Sequence, residues 1–325
     1  MTDGVKDKGR ILALCGGVGG AKLALGLARI AAERLTVVVN TGDDFTHLGL
    51  HISPDLDTVL YTLAGVADPE KGWGRASETW NFMAALTQIG GQDWFQLGDK
   101  DLALHVERTS RLADGESLSA IARRLSRQFG VIPDIVPMTD APVHTQVITD
   151  RGSLPFQQYF VKERCMPRVR AIEFDGAGKA ALSKGFSAAL RDPALEAIFV
   201  CPSNPYLSID PLLALAGVKE GLSGAAAPVI AVSPLIEGQA LKGPTAKIMT
   251  ELGLEPSALS IARHYGALLN GFVVDSRDAE LCGPLRAMGL EARAAPIYMK
   301  SLNDRIALAH TVLNFADRIR ALGVS

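Results

Sequence analysis

Glycines crowd one short segment near the start of the chain, where a phosphate could be bound. Gly16, Gly17, Gly19 and Gly20 stand within five positions, between an apolar stretch and one rich in alanine and leucine. Backbone amides approach a phosphate closely only where no side chain intervenes, and the start of a helix adds favourable partial charge. The alternative is a tight turn that packs a helix closely against a strand. Four glycines in five positions favour anion binding.

Aspartates are concentrated in two segments that follow the next apolar stretch. Asp43 belongs to the run NTGDD, whereas Asp55 and Asp57 belong to SPDLDT. Carboxylates are ligands that Mg²⁺ favours, so these three residues are candidate magnesium ligands. For Asp55 and Asp57 a second interpretation has equal weight on residue type alone. Ser53 and Pro54 suit the start of a helix, and acids in the first turn complement the helix dipole.

Two later segments also combine small and polar residues that suit phosphate binding. Ser203 and Asn204, within PSNP, offer donors to a phosphate, although Asn-Pro is also an ordinary turn former. The segment KGPTAK contains Lys242, Gly243 and Lys247 near the start of a predicted helix, or else in a solvated loop. Because glycine- or proline-rich loops follow several predicted strands, we expect these segments to share one diphosphate site.

The segment LGDKDLALH contains Lys100 and His105. Its residues alone indicate only a charged turn before a helix, with His105 at the surface. No serine stands in the turn that exposes a nucleophile, and no histidine has an obvious partner. The residues therefore favour metal-assisted transfer over a covalent intermediate, since positioning and charge neutralisation do most of the catalysis in phosphoryl chemistry.

Apolar, β-branched stretches predict the strands that position these segments. Ile11–Cys15, a helix over about 20–32 and Leu35–Asn40 form a strand–helix–strand unit, which is typical of parallel strands with a right-handed crossover. The pattern predicts further buried strands at Ala197–Cys201, Val229–Ser233 and Phe272–Asp275. The expected fold class is α/β, with a Rossmann-like, mostly parallel sheet and helices on both faces.

The middle of the chain has a different pattern. Residues 117–129 suit a helix, whereas Val143–Thr149 and Gln157–Lys162 suit antiparallel strands around a turn at Asp150-Arg151-Gly152. We therefore interpret about 100–175 as an inserted, mixed α/β subdomain that binds substrate.

The chain is expected to be a single domain over residues 10–325. Within it, 10–100 and 176–325 would form the Rossmann-like core around the insertion. A final helix over about 302–320 is predicted to pack on the sheet through one apolar stripe. That stripe contains Leu302, Ile306, Ala309, Leu313 and Ala316.

Composition limits the possible function classes. Of the 325 residues, 48% are hydrophobic, so a large buried core is expected. The 33 lysines and arginines are balanced by 35 acids, which argues against a protein whose main role is binding nucleic acid or anionic membranes. A local basic pocket remains compatible with that balance.

Cysteine spacing and hydropathy bear on the compartment. No two of the four cysteines have metal-ligand spacing, and free thiols suit a reducing environment. The charged first ten residues lack the apolar core of a signal peptide, and no apolar run is long enough to span a membrane. We expect a soluble cytoplasmic protein.

Six ordered motifs resemble those of the 2-phospho-L-lactate transferases of coenzyme F-420 biosynthesis: LCGGVGGAKLALGL, VVVNTGDD, SPDLDTVLYTLAG, LGDKDLALHVERT, PSNPYLSI and SPLIEGQALKGPTAKIM. The resemblance runs from about residue 10 to the final helix, and SPDLDTVLY and LGDKDLA are its specific parts. It implies transfer of a 2-phospholactate, phosphoenolpyruvate or 3-phosphoglycerate group from a guanosine diphosphate conjugate to the 5′-hydroxyl of the deazaflavin Fo. GMP would leave, Mg²⁺ would be required, and the enzyme would be a homodimer.

The resemblance also implies roles for individual residues. Asp55 would be catalytic, contacting Fo or the metal, and Lys100 would lie near Fo. Asp43 and Asp57 would be further metal ligands. The guanosine diphosphate region would comprise the glycine loop, Ser203, Asn204, Lys242, Gly243 and Lys247.

Two other functions share some of these features. A nucleotide-sugar-binding regulatory protein similar to gluconeogenesis factors would have the glycine loop and acidic stretch but would transfer nothing. An NAD-dependent oxidoreductase would need a third glycine where Lys22 stands and a ribose-binding acid where Asn40 stands. SPDLDTVLY and LGDKDLA favour the transferase.

Overall fold

Seven parallel strands form the main sheet of the protein, for which a computed structural model describes residues 9–323. The first eight residues and the last two lie outside this range. The prediction that the chain begins without a signal peptide concerns mostly those first eight residues. Within residues 9–323, no helix is both long and apolar enough to cross a membrane.

The secondary-structure elements alternate along most of the chain. The strands are β1 (Arg10–Cys15), β2 (Leu35–Val39), β3 (Phe45–His47), β4 (Leu50–Ile52), β5 (Asp134–Pro137), β6 (His144–Thr149), β7 (Gly152–Pro155), β8 (Val169–Asp175), β9 (Leu195–Val200), β10 (Val229–Val232), β11 (Leu235–Ile236), β12 (Gln239–Ala240), β13 (Gly271–Asp275) and β14 (Glu291–Ala295). The helices are α1 (Gly17–Ala31), α2 (Pro54–Ala64), α3 (Asn81–Gln88), α4 (Asp99–Ala113), α5 (Leu118–Gln128), α6 (Lys184–Leu190), α7 (Asp210–Leu213), α8 (Val218–Ser223), α9 (Thr245–Glu251), α10 (Ala258–Tyr265), α11 (Cys282–Ala287) and α12 (Leu302–Ala321). Short π-helical turns occupy Gln158–Lys162 and Pro205–Ile209.

The main sheet has the strand order β14-β13-β10-β9-β1-β2-β5. Side chains of β1 alternate between its two faces: Ile11 and Ala13 pack in one core, and Leu12 and Leu14 in the other. Helices α1, α2, α5 and α12 cover the first face, and α6, α8, α10 and α11 cover the second. Burial on both faces explains the continuous apolar strands, and the predicted α/β fold is confirmed.

The sequence analysis did not predict the two edge strands of the main sheet, β5 and β14. Strand β14 reads EARAA and β5 reads DIVP, so neither is a continuous β-branched run. Only short apolar segments are needed at the edges, because an edge strand pairs on one side. The five predicted strands of the sheet, β1, β2, β9, β10 and β13, are all present.

A separate antiparallel sheet has the order β7-β6-β8. The predicted strand at Gln157–Lys162 is wrong, because β6 pairs instead with β7 through a two-residue turn that joins Thr149 to Gly152. The return strand therefore begins at once and ends at Pro155. Gln158–Lys162 then coils into a π-helical turn that buries Tyr159.

The segment of about 100–175 contains two kinds of structure. Its first part supplies α4, α5 and β5, and β5 pairs with β2 in the main sheet. Its second part supplies β6, β7 and β8, which form their own sheet. The substrate-binding role given to this segment stays a prediction.

Helix α12 packs against α1 and the sheet as expected, but through a different face. Of the predicted stripe only Ala309 and Ala316 are buried, whereas Leu302 is exposed. The large side chain Phe315 defines the actual face and was absent from the predicted stripe. The buried residues are Leu308, Ala309, Val312, Phe315, Ala316 and Ile319.

Candidate active site

A cavity of about 710 Å³ lies at the carboxyl ends of the central strands of the main sheet. The loops that follow β1, β2, β9 and β10 all contribute to its wall, as ligand sites of open parallel α/β sheets generally require. Residues 156–161 of the antiparallel region close another side. Of the predicted site residues, those that line the cavity are Gly16, Gly17, Gly19, Asp43, Asp55, Asp57, Ser203, Asn204, Lys242 and Gly243.

The glycine loop is held against two neighbouring loops. The Gly16 amide donates to Ser203 Oγ (3.1 Å), and Ser203 Oγ donates back to the Gly16 carbonyl (2.7 Å). A Cβ atom at Gly16 would stand 2.5 Å from Ser208 Cβ and 2.7 Å from Asp55 Oδ2. Gly17 has φ +61°, in the left-handed region that favours glycine, and its amide donates to the Asp55 carboxylate. The first amides of the loop therefore serve protein acceptors.

The next two glycines of the loop allow close packing. A Cβ atom at Gly19 would stand 2.3 Å from the Pro202 carbonyl oxygen. One at Gly20 would stand 2.4 Å from Ser203 Oγ and 2.7 Å from Cys15 Sγ. Gly20 lies beneath the cavity wall. At this position the structure agrees with the alternative interpretation, in which the glycine lets the helix pack closely against the strand.

Asp55 lies at the start of α2 and points toward the glycine loop. Its Oδ2 accepts a hydrogen bond from Asn40 Nδ2 (3.0 Å), and Asn40 Oδ1 accepts one from the Gly42 amide (2.8 Å). Burial raises the pKa of Asp55 to about 6, although the hydrogen bonds from Asn40 and Gly17 oppose the rise. The pKa of Asp55 therefore lies nearer to neutral pH than that of an exposed aspartate.

Asp43 is a second buried carboxylate at the same end of the cavity. Burial, followed by the negative charge of Asp55, raises the pKa of Asp43 well above its ordinary value. Its Oδ1 atom is buried without a hydrogen-bond partner, and no basic side chain within residues 9–323 forms an ion pair with it. Two neighbouring buried carboxylates that lack a cation fit a hard divalent ion such as Mg²⁺.

Asp57 faces a different neighbour, the fully buried Arg108 of α4. Both guanidinium nitrogens of the fork donate to Asp57, with Nη1 to Oδ2 at 3.1 Å and Nη2 to Oδ1. Burial raises the pKa of Asp57, and the positive charge of Arg108 limits that rise. Arg108 therefore already supplies the positive charge that a metal would bring to Asp57.

His105 and Asp101 complete a buried polar cluster beside Asp57. His105 Nδ1 lies 3.7 Å from Asp57 Oδ2, and His105 Nε2 lies 3.4 Å from Asp101 Oδ1. Tyr61 OH donates to Asp101 Oδ1 at 2.6 Å. Burial raises the pKa of Asp101, but the nearby His105 and the hydrogen bond from Tyr61 outweigh burial and bring it below the ordinary value.

One donor atom each from Asp57, Asp101 and His105 lies within 4.8 Å of the others, a spacing compatible with a divalent metal.

The sequence analysis missed this cluster and was wrong to place His105 at the surface, since only 1% of the residue is exposed. A helical spacing could have found it. Asp101, His105 and Arg108 stand at i, i+4 and i+7 on one face of α4, and Asp57 and Tyr61 stand at i and i+4 on α2. Polar residues that share one stripe of an otherwise apolar face indicate a buried polar contact.

Asn204 has one buried amide nitrogen without a hydrogen-bond partner. Its Oδ1 accepts from the amides of Tyr206 (3.0 Å) and Leu207 (3.2 Å), which caps the π-helical turn. Its Nδ2 atom is buried without a partner, and the residue lines the cavity. Because an unpaired buried donor is unfavourable, a phosphate or hydroxyl oxygen in the cavity would complete its hydrogen bonding.

The predicted lysines lie in different places. Lys242 is at the cavity rim, and its Nζ donates to the Lys71 carbonyl (2.7 Å). Lys100 lies outside the cavity wall, where its Nζ donates to the Ser77 carbonyl (2.8 Å). Lys247 faces away from the cavity and pairs with Glu251 at 2.6 Å.

Aromatic side chains supply an apolar part of the cavity lining, which we call the aromatic wall. Phe156 and Phe160 stack with ring centroids 5.3 Å apart and an interplanar angle of 21°. Trp73, Phe95 and Tyr298 line other parts of the cavity. Such a wall suits a flat ring system beside a charged group.

Comparisons with known proteins agree with the sequence resemblance. The sequence model of the family described as 2-phospho-L-lactate transferase CofD matches residues 11–292. A phosphoenolpyruvate transferase of Streptomyces coelicolor is 37% identical over 318 residues, which cover 96% of this chain and 99% of the relative. One of Mycobacterium tuberculosis is 35% identical over 315 residues, covering 90% and 95%.

A solved structure has a similar fold at low sequence identity. A member of the UPF0052 family from Bacillus halodurans superposes with a TM-score of 0.61 and 14% identity. The match covers 94% of this chain and 99% of that chain. At this identity the likeness concerns the fold alone.

Proposed function

Because this chain belongs to the 2-phospho-L-lactate transferase CofD family, and is therefore a transferase, we propose that it transfers a phosphoenolpyruvyl or phospholactyl group in coenzyme F-420 biosynthesis. The acceptor in this proposal is the 5′-hydroxyl of the deazaflavin Fo. The donor is a guanosine diphosphate conjugate in which the phosphate of the phosphorylated acid is joined to the phosphate of GMP, and GMP is the leaving group. A homodimer and a cytoplasmic location stay predictions.

The observation that carries the proposal is the position of Asp55. It is a buried carboxylate with a pKa of about 6, held by Asn40 and Gly17 at the wall of a cavity large enough for a small-molecule substrate. A general base works best when its pKa lies near the working pH. Asp55 accepts the proton of the Fo hydroxyl as the hydroxyl oxygen bonds to the phosphorus that carries the organic acid. The bond between that phosphorus and the oxygen bridging to GMP breaks.

Mg²⁺ is the metal in this proposal, and Asp43 would hold it beside Asp55, whose own carboxylate stays free to act as the base. The support is the pair of buried carboxylates and the unpartnered Oδ1 of Asp43. When bound, the ion neutralises charge on the diphosphate. Asp57 is a weaker candidate ligand because Arg108 already binds both of its oxygens.

The aromatic wall is the proposed place of the acceptor. Phe156 and Phe160 come from the segment of 100–175 that the sequence predicts to bind substrate. Stacked rings give a flat, apolar surface on which a deazaflavin would lie, while its ribityl chain reaches the polar loops. Lys100 stays a predicted Fo contact. Its side chain holds the loop at Ser77 by a hydrogen bond to the Ser77 carbonyl.

The organic acid of the donor is proposed to be phosphoenolpyruvate. The relatives from Streptomyces and Mycobacterium that align over nearly the whole chain are named phosphoenolpyruvate transferases. The alternatives, 2-phospholactate and 3-phosphoglycerate, differ from it in the carbon chain next to the phosphate.

The experiment compares three guanosine diphosphate conjugates, one for each acid, with purified protein, Fo and Mg²⁺. We expect GMP release and a product whose mass equals that of Fo plus phosphoenolpyruvate minus one water. Reactions without Fo are the control for donor hydrolysis. Tight binding of a UDP-sugar with no GMP release from any conjugate would contradict the proposal and favour a regulatory binding protein.

A further inference from the structure

A serine of the cavity wall stands beside Asp55 and does not use its hydroxyl to hold the fold together. Ser208 belongs to the short π-helical turn Pro205–Ile209 that follows β9. The residue lines the cavity, and only 7% of it is exposed. The sequence analysis contains it within PSNPYLSI but gives it no role. A nearly buried hydroxyl in the wall of a cavity is a candidate contact for a substrate.

The Ser208 hydroxyl has no hydrogen-bond partner among residues 9–323, whereas the Ser208 amide donates to the Asn204 carbonyl at 2.9 Å. Ser203 also lines the cavity but differs, because its Oγ exchanges two hydrogen bonds with the backbone of Gly16. A serine hydroxyl offers one donor and two acceptor positions, and it is unfavourable to leave them unused in a buried place. An oxygen atom of a bound substrate would satisfy the Ser208 hydroxyl.

Ser208 lies next to Asp55, the residue proposed to accept the proton. A Cβ atom at Gly16 would stand 2.7 Å from Asp55 Oδ2 and 3.0 Å from Ser208 Oγ. Two oxygens that are both so close to one point are near enough to hydrogen-bond to a single ligand oxygen placed between them. Glycine at position 16 leaves the space beside both oxygens free of a side chain. The structure therefore offers one acceptor and one donor to the same substrate atom.

A buried amide fixes the positions of both oxygens. Asn40 Nδ2 donates to Asp55 Oδ2 (3.0 Å) and to the carbonyl of Leu207 (3.3 Å), which directly precedes Ser208. Asn40 is fully buried, and its Oδ1 accepts a hydrogen bond from the Gly42 amide at 2.8 Å. The π-helical turn and the start of α2 are thus held by one side chain, which keeps Ser208 and Asp55 in a constant relation to each other.

We propose that Ser208 is a further catalytic residue, whose hydroxyl donates a hydrogen bond to the attacking hydroxyl oxygen of the acceptor. The inference rests on the proposed function, in which the acceptor is Fo and Asp55 takes its proton. An alcohol oxygen has one proton and two lone pairs. When the proton points to Asp55 and one lone pair accepts from Ser208, the other lone pair is directed toward the phosphorus.

The reaction leaves Ser208 chemically unchanged. As the Fo oxygen bonds to the attacked phosphorus, its proton passes to Asp55. The bond from that phosphorus to the bridging oxygen breaks, and its electron pair stays with GMP. The Ser208 proton remains on Oγ throughout, so the residue orients one substrate atom and forms no covalent bond. Its removal should slow transfer to Fo without weakening the binding of GMP.

The first experiment measures binding without turnover, by titration of Fo and of 5′-deoxy-Fo followed through deazaflavin fluorescence. The 5′-deoxy compound lacks the attacking hydroxyl, so we expect the wild type to bind Fo more tightly. Ser208→Ala should reduce this preference about threefold to tenfold, which is the effect of one lost hydrogen bond. An unchanged preference would overturn the inference. Because no donor is present, the result does not depend on whether the protein transfers a group.

The second experiment combines steady-state kinetics, with the donor conjugate, Fo and Mg²⁺, and calorimetry with GMP. We expect kcat/KM for Fo to fall about tenfold to a hundredfold in Ser208→Ala, while the Kd of GMP stays within twofold of the wild type. Ser126→Ala is the matched control. Ser126 is a buried serine of α5 outside the cavity lining, and its Oγ donates to the Ala122 carbonyl at 2.8 Å. This control variant should change none of the values.

Other outcomes would also overturn the inference. Weaker GMP binding in Ser208→Ala with an unchanged preference for Fo would place Ser208 on the donor. A burst of GMP in the absence of Fo, with the phosphorylated acid attached to Ser208 in the mass spectrum, would make Ser208 a nucleophile. If no conjugate releases GMP but Ser208→Ala still reduces the preference for Fo, the proposed transfer is refuted and Ser208 remains the contact of the Fo hydroxyl.

Discussion

Asp55 combines the features of a residue that takes part in proton transfer, because it is buried, close to a glycine turn and hydrogen-bonded by Asn40. Asp55→Asn keeps the shape of the side chain but removes the proton acceptor. We expect turnover to fall by roughly 10²- to 10⁴-fold, measured as GMP release. The far-UV circular dichroism spectrum should be unchanged. Asp175→Asn, at an exposed position, is the control, and near-normal turnover in Asp55→Asn would remove Asp55 from the mechanism.

The Asp43 and Asp55 pair makes stability depend on pH and on metal. A carboxyl group whose pKa is higher in the folded than in the unfolded protein binds its proton more tightly when folded. The free energy of unfolding therefore falls as pH rises through the folded pKa, which is about 6 for Asp55. Burial raises the pKa of Asp43 in the same direction.

We therefore expect Asp43→Asn to be more stable than the wild type at pH 7.5 in EDTA, and this difference to shrink at pH 5.5. Each unit of difference between folded and unfolded pKa corresponds to about 1.4 kcal/mol. Mg²⁺ should raise the Tm of the wild type at pH 7.5 more than that of the variant. Urea unfolding at both pH values measures the difference. Equal stability at pH 7.5 would show that the buried charge of Asp43 does not destabilise the folded protein.

At the residue scale, the sequence analysis correctly expected at the site those side chains that stand in loops after buried strands. Asp43, Ser203 and Asn204 all line the cavity for that reason. The same rule said nothing about Lys247, which stands on a helix and turns toward Glu251. Which face of a helix meets a cavity depends on tertiary packing, and a short motif does not contain that information.

At the scale of elements, Arg108 joins α4 to α2. Its side chain is fully buried and binds Asp57 through both guanidinium nitrogens of its fork. Removing one partner of a buried ion pair leaves the other charge uncompensated, which destabilises a protein by about 3–5 kcal/mol. We expect Arg108→Met to lose stability by about that amount in urea unfolding.

Arg111 offers a matched control on the same helix. It pairs with Glu107 and Glu116 at a partly exposed position, so Arg111→Met should change stability by only about 0–1 kcal/mol. The double variant Asp57→Asn with Arg108→Met should recover part of the loss, since neither charge is then left alone. Equal losses for Arg108→Met and Arg111→Met would contradict the role given to the buried pair.

The elements themselves were predictable to different degrees. Strands such as β1 and β10 are buried on both faces and read as continuous apolar runs. The return strand after β6 was not recognised, because GSLP is short and exposed, whereas the apolar side chains of residues 156–161 suggested a strand. Those side chains are apolar because they line the cavity or pack beneath it.

At the scale of the whole molecule, the site exists only where distant segments meet. Residues 16–19 follow β1, residues 202–204 follow β9, and residues 241–244 precede α9, yet all line one cavity. Phe156 and Phe160 of the aromatic wall come from the segment that follows β7. A near-neutral chain thereby gains a cavity lined by both buried carboxylates and lysines, which its composition did not reveal.

Ligand binding should therefore protect several distant segments at once. We expect GDP with Mg²⁺ to slow amide hydrogen exchange in residues 16–22, 202–208 and 241–247 together, because a ligand that contacts all three loops restrains them jointly. At a ligand concentration of 100 times Kd, the added stability is about 2.7 kcal/mol. UMP at the same concentration is the control for a nonspecific anion effect. Protection confined to the glycine loop would show that the three loops do not bind one nucleotide.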